Sequence, residues 1–287
     1  LDQISALQEP VQGEISTQVE TNPEERRVSC TGALANAYGF GTLATVVKTF
    51  AWWANQWPFV ASWSVFEKWA ISAALAGCEY LPLTRSMQVA SIHAVSLSLL
   101  TAYMEAADNL FRMLQQLGLG KELGWYDWVA ALALGVCVCW QGYKHYQAGL
   151  SKQLEPPPEP RPLSLELRLF VAIVFCVILL SAALLGGNTG QAYVLATIAT
   201  GAKTFAWWIN QYPALKDFSF YQKWLAGWSI AALIEYVPLI AAFTVASNHD
   251  VHLGLMTAYM EALDNAFRVC QQRLLLKPLF QYDYVAA

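Results

Sequence analysis

Thr101, Glu105, Asp108 and Arg112 follow one another at spacings of four, three and four residues, which places all four side chains on one face of an α-helix. Asn109 flanks that face, and the whole set returns as Thr257, Glu261, Asp264, Asn265 and Arg268. Carboxylates in such a set can exchange a proton or hold a cation. A carboxyl partly withdrawn from water takes up a proton more readily than one in solution. Glu105 and Glu261 are therefore candidate proton exchangers, with Asp108 and Asp264 each pairing with the Arg four residues on. The alternative is a location near the surface, where Arg112 and Arg268 simply neutralise the Asp one turn away. A second recurring set is Lys48 with Lys203 and Glu79 with Glu235, each Glu followed by Tyr, one residue and Pro. Glu79 or Glu235 can pair with Lys48 or Lys203. The functional reading is a gate or a binding charge; the favoured alternative is a plain interhelical ion pair, or a Lys that snorkels to the surface. Pro82 and Pro238 are expected to kink or end the helix that carries the Glu.

Other chemistries find little support. Cys30, Cys78, Cys137, Cys139, Cys176 and Cys270 have no counterparts between the two sets and lie mostly in apolar segments. They read as small apolar side chains rather than as a disulfide framework or metal ligands. His93, His249 and His252 show no ligand spacing, so no metal is expected. The chain carries no nucleotide-binding glycine loop and no hydrolase serine motif, so neither a cofactor nor an enzymatic activity is expected. A net charge of −4 without a dense basic cluster argues against nucleic acid as a partner.

The elements that position these residues come in duplicate. Lys48 to Pro58 matches Lys203 to Pro213 at nine of eleven positions, an offset of 155. Glu79-Tyr80 returns as Glu235-Tyr236, Gln115-Gln116 as Gln271-Gln272 and Tyr126-Asp127 as Tyr282-Asp283, now at an offset of 156. One residue has therefore entered between Trp69/Trp224 and Glu79/Glu235. Agreement on this scale requires two copies of one unit. The periodicity predicts helices over 32–54, 63–83, 87–113 and 126–147 in the first unit and over 191–211, 221–243 and 250–272 in the second, with a fourth beginning at 282. Between them lie the Pro-rich stretch 155–162, which favours an extended conformation, and an unpaired apolar helix over 167–187. The domain reading is a disordered acidic tail over 1–29, repeat one over 30–147, a linker with its own helix over 148–187, and repeat two over 188–287. The absence of an initiator Met and the end at Ala287, where repeat one would begin a helix, suggest processing or truncation at both ends.

With 56% hydrophobic and 13% charged residues and a mean hydropathy of +0.35, the chain carries about half the usual charge of a soluble domain. Apolar runs near twenty residues indicate a polytopic α-helical membrane protein; a large soluble core is the rival. Trp52, Trp53, Trp207 and Trp208, with Trp57, Trp63, Trp69, Trp125 and Trp224, are expected as anchors at the membrane surface, or as an aromatic cage for a cationic ligand. Five helices precede the second Lys-Thr-Phe-Ala-Trp-Trp helix, so the two units would cross the bilayer in opposite senses. With the tail cytoplasmic (or on the stromal or matrix side in an organelle), Lys48, Lys68, Arg112 and Lys121 fall on the far side. The other thirteen of seventeen Lys and Arg fall on the tail's side, a strong positive-inside bias.

Thr49 to Trp53 with Glu79-Tyr80, and Thr204 to Trp208 with Glu235-Tyr236, resemble a small uncharacterised bacterial four-helix membrane family with a Thr-Phe-Ala-Trp-Tyr-type motif. That family belongs to the drug/metabolite transporter superfamily, beside the small multidrug resistance proteins. The likeness covers about 100 residues, twice. The family's Pro-Ala-Asn-Arg segment is not reproduced after Glu-Tyr, and the first helix has no Glu to match the essential one of the small multidrug proteins. The resemblance implies an antiparallel pair of four-helix units fused through one extra helix. Inverted repeats of this kind commonly hold a substrate site near the bilayer midplane. The expected function is a secondary transporter of a small organic molecule, proton- or cation-coupled, with the lipid bilayer and that substrate as partners. The alternative is a non-catalytic membrane subunit of an organellar photosynthetic or respiratory complex.

Overall fold

The computed structural model describes residues 23–120 except 94 and 96, residues 165–275, and scattered positions between 123 and 143. The described residues are helical, with no strand among them. Seven long helices stand in order: α1 (Pro23–Trp52), α2 (Val65–Ile92), α3 (Leu97–Gly118), α4 (Leu165–Leu184), α5 (Gly187–Trp207), α6 (Phe220–Asn248) and α7 (Leu253–Leu274). Helical backbone also occurs at positions between Trp125 and Tyr143, within the span expected of a fourth helix. Residues 1–22, the Pro-rich stretch and the helix expected from 282 lie outside the described residues. Helix α1 begins at Pro23 rather than 32, so the expected tail of 1–29 is too long by its last seven residues.

The same local chemistry starts corresponding helices. Ser64 caps α2 by accepting from the Glu67 amide at 3.3 Å while its own amide donates to Glu67 Oε2 at 2.7 Å. Ser219 and Gln222 do the same for α6 at 3.3 and 2.8 Å, two capping boxes of the same design. Before each box the chain makes two 3-10 turns, Ala54–Gln56 and Pro58–Val60 in one half, Ile209–Gln211 and Pro213–Leu215 in the other. The repeated Asn-Gln-x-Pro lies in these turns, and Pro58 opens the second because its missing N–H costs nothing there.

Neither Pro82 nor Pro238 ends its helix. Helix α2 runs through Pro82 to Ile92 and α6 through Pro238 to Asn248, so α3 starts at 97 instead of 87. Proline removes one helical hydrogen bond and crowds the preceding turn, but Tyr80, Pro82, Leu83 and Thr84 are all buried, and that packing holds the helical path. Glu79 and Glu235 consequently sit near the middle of their helices, not at the ends.

Helix α6 contains a π-helical stretch, Ala231–Glu235, with the Tyr236 amide bonded to the Ala231 carbonyl. An i→i+5 turn absorbs one extra residue without rotating the rest of the helix. The bonds between α2 and α6 locate that residue. Trp69 Nε1 donates to the Ala232 carbonyl at 2.8 Å and Trp224 Nε1 to the Gly77 carbonyl at 3.0 Å. These bonds are equivalent at the offset of 155, whereas Glu79 and Glu235 already stand at 156. The extra residue therefore belongs to Leu233–Ile234. With Trp228 Nε1 on the Ala73 carbonyl at 2.8 Å, the bonds descend along α6 as they ascend along α2, so the two helices cross with opposite sense. Gly227 lets the Tyr80 ring lie against α6, since a Cβ there would stand 2.5 Å from Tyr80 Cδ1.

Helix α1 packs on α2 and α3, and α5 packs on α6 and α7. Helices α2 and α6 join the two halves, and α4, without a counterpart, lies on α5 and α7. Among the described helices α6 alone is long and apolar enough by its own composition to cross a membrane, with a mean hydropathy of 1.9, and α4 has a shorter apolar segment, Phe175–Leu184. Charged and polar side chains lower the hydropathy of α3, α5 and α7, and most of those described are buried, as are Thr45, Lys48 and Thr49 of α1.

The assignment of the extra residue makes a direct prediction. Deleting Leu233 should convert the π stretch to α-helix with Glu235 still facing inward, and the protein should remain monodisperse in size-exclusion chromatography. Deleting Cys78, the neighbouring position of α2, should turn Glu79 by about 100° and abolish folded protein.

Candidate functional site

Lys48 and Thr49 occupy the last turns of α1, and Asp108 the middle of α3. The Lys48 ammonium bonds Asp108 Oδ2, and the Thr49 hydroxyl lies 2.8 Å from Asp108 Oδ1 and 2.9 Å from the Thr45 carbonyl. In the other half Lys203 bonds Asp264 Oδ2, and the Thr204 hydroxyl lies 2.8 Å from Asp264 Oδ1 and 3.0 Å from the Thr200 carbonyl. The two sets meet. Lys48 Nζ stands 3.9 Å from Asp264 Oδ2, and Lys203 Nζ stands 3.8 Å from Asp108 Oδ2. Each lysine thus lies between both aspartates, a closed square of alternating charge shared by the two halves.

Aromatic rings wall the square in the same reciprocal way. Lys48 Nζ is 4.8 Å from the centroid of Trp207, and Lys203 Nζ is 4.9 Å from that of Trp52, both within cation–π reach. Trp52 in turn meets Tyr236 edge-on at 6.4 Å, and Trp207 meets Tyr80 at 6.3 Å. Trp52, Trp53, Trp207 and Trp208 are all buried, so they do not anchor the protein at a surface. The paired Trp rings face the protein's own lysines, the place an external cation would take in an aromatic cage. Trp69 and Trp224 also have structural duties, donating to backbone across the junction.

The remaining charges surround this centre. Arg112 donates to Asp127 Oδ1 at 3.0 Å and has its Nε 4.0 Å from Glu261 Oε1. Asp127 also accepts from the Gly124 amide at 3.1 Å. The Tyr236 hydroxyl donates to Glu79 Oε2 at 3.3 Å, while Tyr80 faces Glu235 without reaching hydrogen-bond geometry. Lys48, Glu79, Glu105, Asp108, Arg112, Lys203, Glu235, Glu261, Asp264 and Arg268 are each no more than 8% exposed. Ten ionisable side chains buried together is a costly arrangement that only mutual pairing can offset.

The structure corrects two expected pairings. Asp108 and Asp264 do not pair with the Arg one turn along their own helix; they take Lys48 and Lys203 from α1 and α5. Glu79 and Glu235 are not the lysines' hydrogen-bonded partners for the same reason. Tertiary packing brings α3 and α7 against the ends of α1 and α5, and the shorter Asp beside Thr49 or Thr204 claims the ammonium. Glu105 and Glu261 are both buried. Glu105, Asp108 and Asp264 have acceptor oxygens within 4.8 Å of one another, a spacing that could hold a metal ion, but Lys48 and Lys203 already hold the Asp oxygens such an ion would need.

Sequence reasoning passed over Thr49, Thr204 and an outer layer of hydroxyl pairs, Thr42 with Tyr103 at 2.5 Å and Thr197 with Tyr259 at 2.6 Å. Their signal was present, because all of them recur between the units. No protein-family model matches the chain, and no curated protein or solved structure matches it.

Removing one corner of the square should leave a buried charge unpaired. Lys48→Met should destabilise the protein by about 3–5 kcal/mol, and Lys48→Met/Asp108→Leu by less than the sum of the single changes. A double-mutant cycle by denaturant titration checks both, and additivity would show that the pair does not interact.

Proposed function

We propose that the chain is an integral membrane protein of two inverted repeats and acts as a secondary transporter of a small organic molecule, driven by a proton or another cation. One observation carries this reading: the polarity of the molecule is turned inside out. Ten charged side chains are buried at the junction of the halves, while Leu43, Phe50, Phe66, Leu81, Ile173, Leu180, Phe205 and Leu233 are among the large apolar side chains left more than 40% exposed. A bilayer is the solvent that suits such an exterior, and charges within it belong on the inside. The long helices span 20 to 30 residues each, at least the length a hydrocarbon core of about 30 Å demands. Their composition alone hides this, because the buried faces of α1, α3, α5 and α7 carry the compensating charges.

Inversion is supported by the opposite sense of α2 and α6 and by the sides to which the sequence reading assigns the remaining cations. Removing the buried Lys48, Arg112, Lys203 and Arg268 from the count leaves Lys68 and Lys121 on one side, and 17 − 4 − 2 = 11 Lys and Arg on the other. Transport is supported by the location of the charges. A junction needed only for cohesion is held as well or better by apolar packing, whereas a carrier needs charge where its two halves move against each other. Each lysine already has a second aspartate within 4 Å in the opposite half, so a small relative movement can exchange partners.

A second reading, a non-catalytic subunit of a larger membrane complex, is favoured by the same direct pairing, which fills the centre with the protein's own groups. Two measurements separate these readings. Single cysteines at the exposed caps, Ser64→Cys and Ser219→Cys, should label from opposite sides of sealed vesicles; labelling from one side would defeat inversion. In proteoliposomes with a pH-sensitive dye, a panel of organic cations and metabolites should drive proton or counter-ion flux. That flux should vanish in Lys48→Met/Asp108→Leu, which removes one pair without leaving a charge unpaired, in protein that stays monodisperse in size-exclusion chromatography. An absence of flux for the whole panel would favour the subunit.

A further inference from the structure

The buried charges do not balance. Among the described residues classed as buried, Lys48, Lys203, Arg112 and Arg268 face Glu79, Glu105, Asp108, Glu235, Glu261 and Asp264, and four cations against six carboxyl groups leave a formal excess of 4 − 6 = −2. The Lys–Asp square is neutral. Arg112 is shared between Asp127 and Glu261, and Arg268 faces Glu105. Glu79 and Glu235, each 1% exposed, form no ion pair with Lys or Arg among the described residues.

Their surroundings have the composition of a ligand shell. Glu79 Oε1, Glu235 Oε2 and the Tyr80 hydroxyl are buried oxygens with no hydrogen-bond partner, and a buried polar atom left unpaired is costly unless something satisfies it. Tyr236 supplies its hydroxyl to Glu79 across the junction. The charged groups that face Glu79 are Glu235 from α6, Lys48 from α1 and Lys203 from α5; those that face Glu235 are Lys203, Lys48 and Asp264 of α7. Carboxylate and phenolic oxygens drawn from both halves, with negative charge in excess, suit a small monocation. They do not suit a bulky organic one, since the Tyr80 ring packs so closely on Gly227 that even a Cβ added there would stand 2.5 Å from Tyr80 Cδ1.

We propose that Glu79 and Glu235, with Tyr80 and Tyr236, form the coupling-cation site, each carboxyl taking a single positive charge as either a proton or an alkali ion. This deepens the transporter reading and moves the coupling role from Glu105 and Glu261 to the middle of α2 and α6. The Lys–Asp square is then the element that senses the bound charge, because both lysines face both carboxyls. Binding of the cation cancels the excess and lets the halves repack.

The site is tested by binding, independently of transport, on the full chain in lipid nanodiscs. One arm titrates sodium chloride against N-methylglucamine chloride at fixed pH and follows tryptophan fluorescence, for which Trp52 and Trp207 beside the two tyrosines are built-in reporters. The other arm acidifies the sample and follows growth of the carboxylic-acid C=O band in the infrared. A saturable sodium signal identifies an alkali ion, and a band without a sodium signal identifies a proton. Either must disappear in Glu79→Gln/Glu235→Gln and persist in Glu105→Gln/Glu261→Gln. Tyr80→Phe/Tyr236→Phe, which keeps both carboxyls, should weaken binding about tenfold and serves if the Gln pair fails to fold. Neither signal in the wild type, or a signal that survives Glu79→Gln/Glu235→Gln, overturns the proposal. Binding without flux in proteoliposomes would sink the transporter reading and leave the site standing; flux without binding at these residues would do the reverse.

Discussion

Everything in this molecule depends on keeping ten ionisable side chains out of water at the seam between two halves. A lone buried charge costs several kcal/mol even after relaxation, and attraction repays that only when geometry is good and the remaining lone pairs are occupied. The structure meets the requirement by reciprocity. Each lysine has its own Asp at hydrogen-bond distance, a second Asp from the other half just under 4 Å away, and a Trp face from the other half above it. No single helix could assemble that set. Separating the halves would expose two ammonium groups and two carboxylates at once, so the seam and the fold stand or fall together.

The rest of the architecture serves that seam. The Trp69 and Trp224 bonds to opposing backbone carbonyls set how far α2 and α6 can slide. Thr49 and Thr204, one residue past each Lys, fix the second oxygen of each Asp. The π stretch of α6 has the same purpose. A residue inserted into a regular helix would rotate everything after it by about 100°, taking Glu235, Tyr236 and Pro238 out of the core. Confining the distortion to one turn leaves them placed as Glu79, Tyr80 and Pro82 are, so the halves stay equivalent where they touch despite their unequal length.

Equivalence is incomplete elsewhere, and the differences have local causes. Helix α4 has no counterpart and packs against one half only. Gly227 admits the Tyr80 ring, whereas Ser72 stands at the corresponding position of α2. Glu79 accepts from Tyr236 while Glu235 lacks the matching bond. A seam that is alike in charge but unlike in packing has two inequivalent arms.

Much of this was legible in the chain. Recurrence of Lys48-Thr49, Glu79-Tyr80, Glu105 and Asp108 in the same order is read directly from the chain and points to two like units. The 3.6-residue period places Glu105, Asp108 and Arg112 on one helical face, and the shift of offset from 155 to 156 announces an insertion. Local sequence could not decide which charge meets which. Spacing favours Asp108 with Arg112, one turn away, yet Lys48 takes that Asp from a different helix, because helix packing sets distances between side chains 60 residues apart. Nor could it tell that helices run through Pro82 and Pro238, where burial of the neighbouring turn outweighs one lost hydrogen bond, or that the paired tryptophans face inward. Period and repetition are properties of the chain itself; partner choice is a property of the seam, which exists only once two halves have come together.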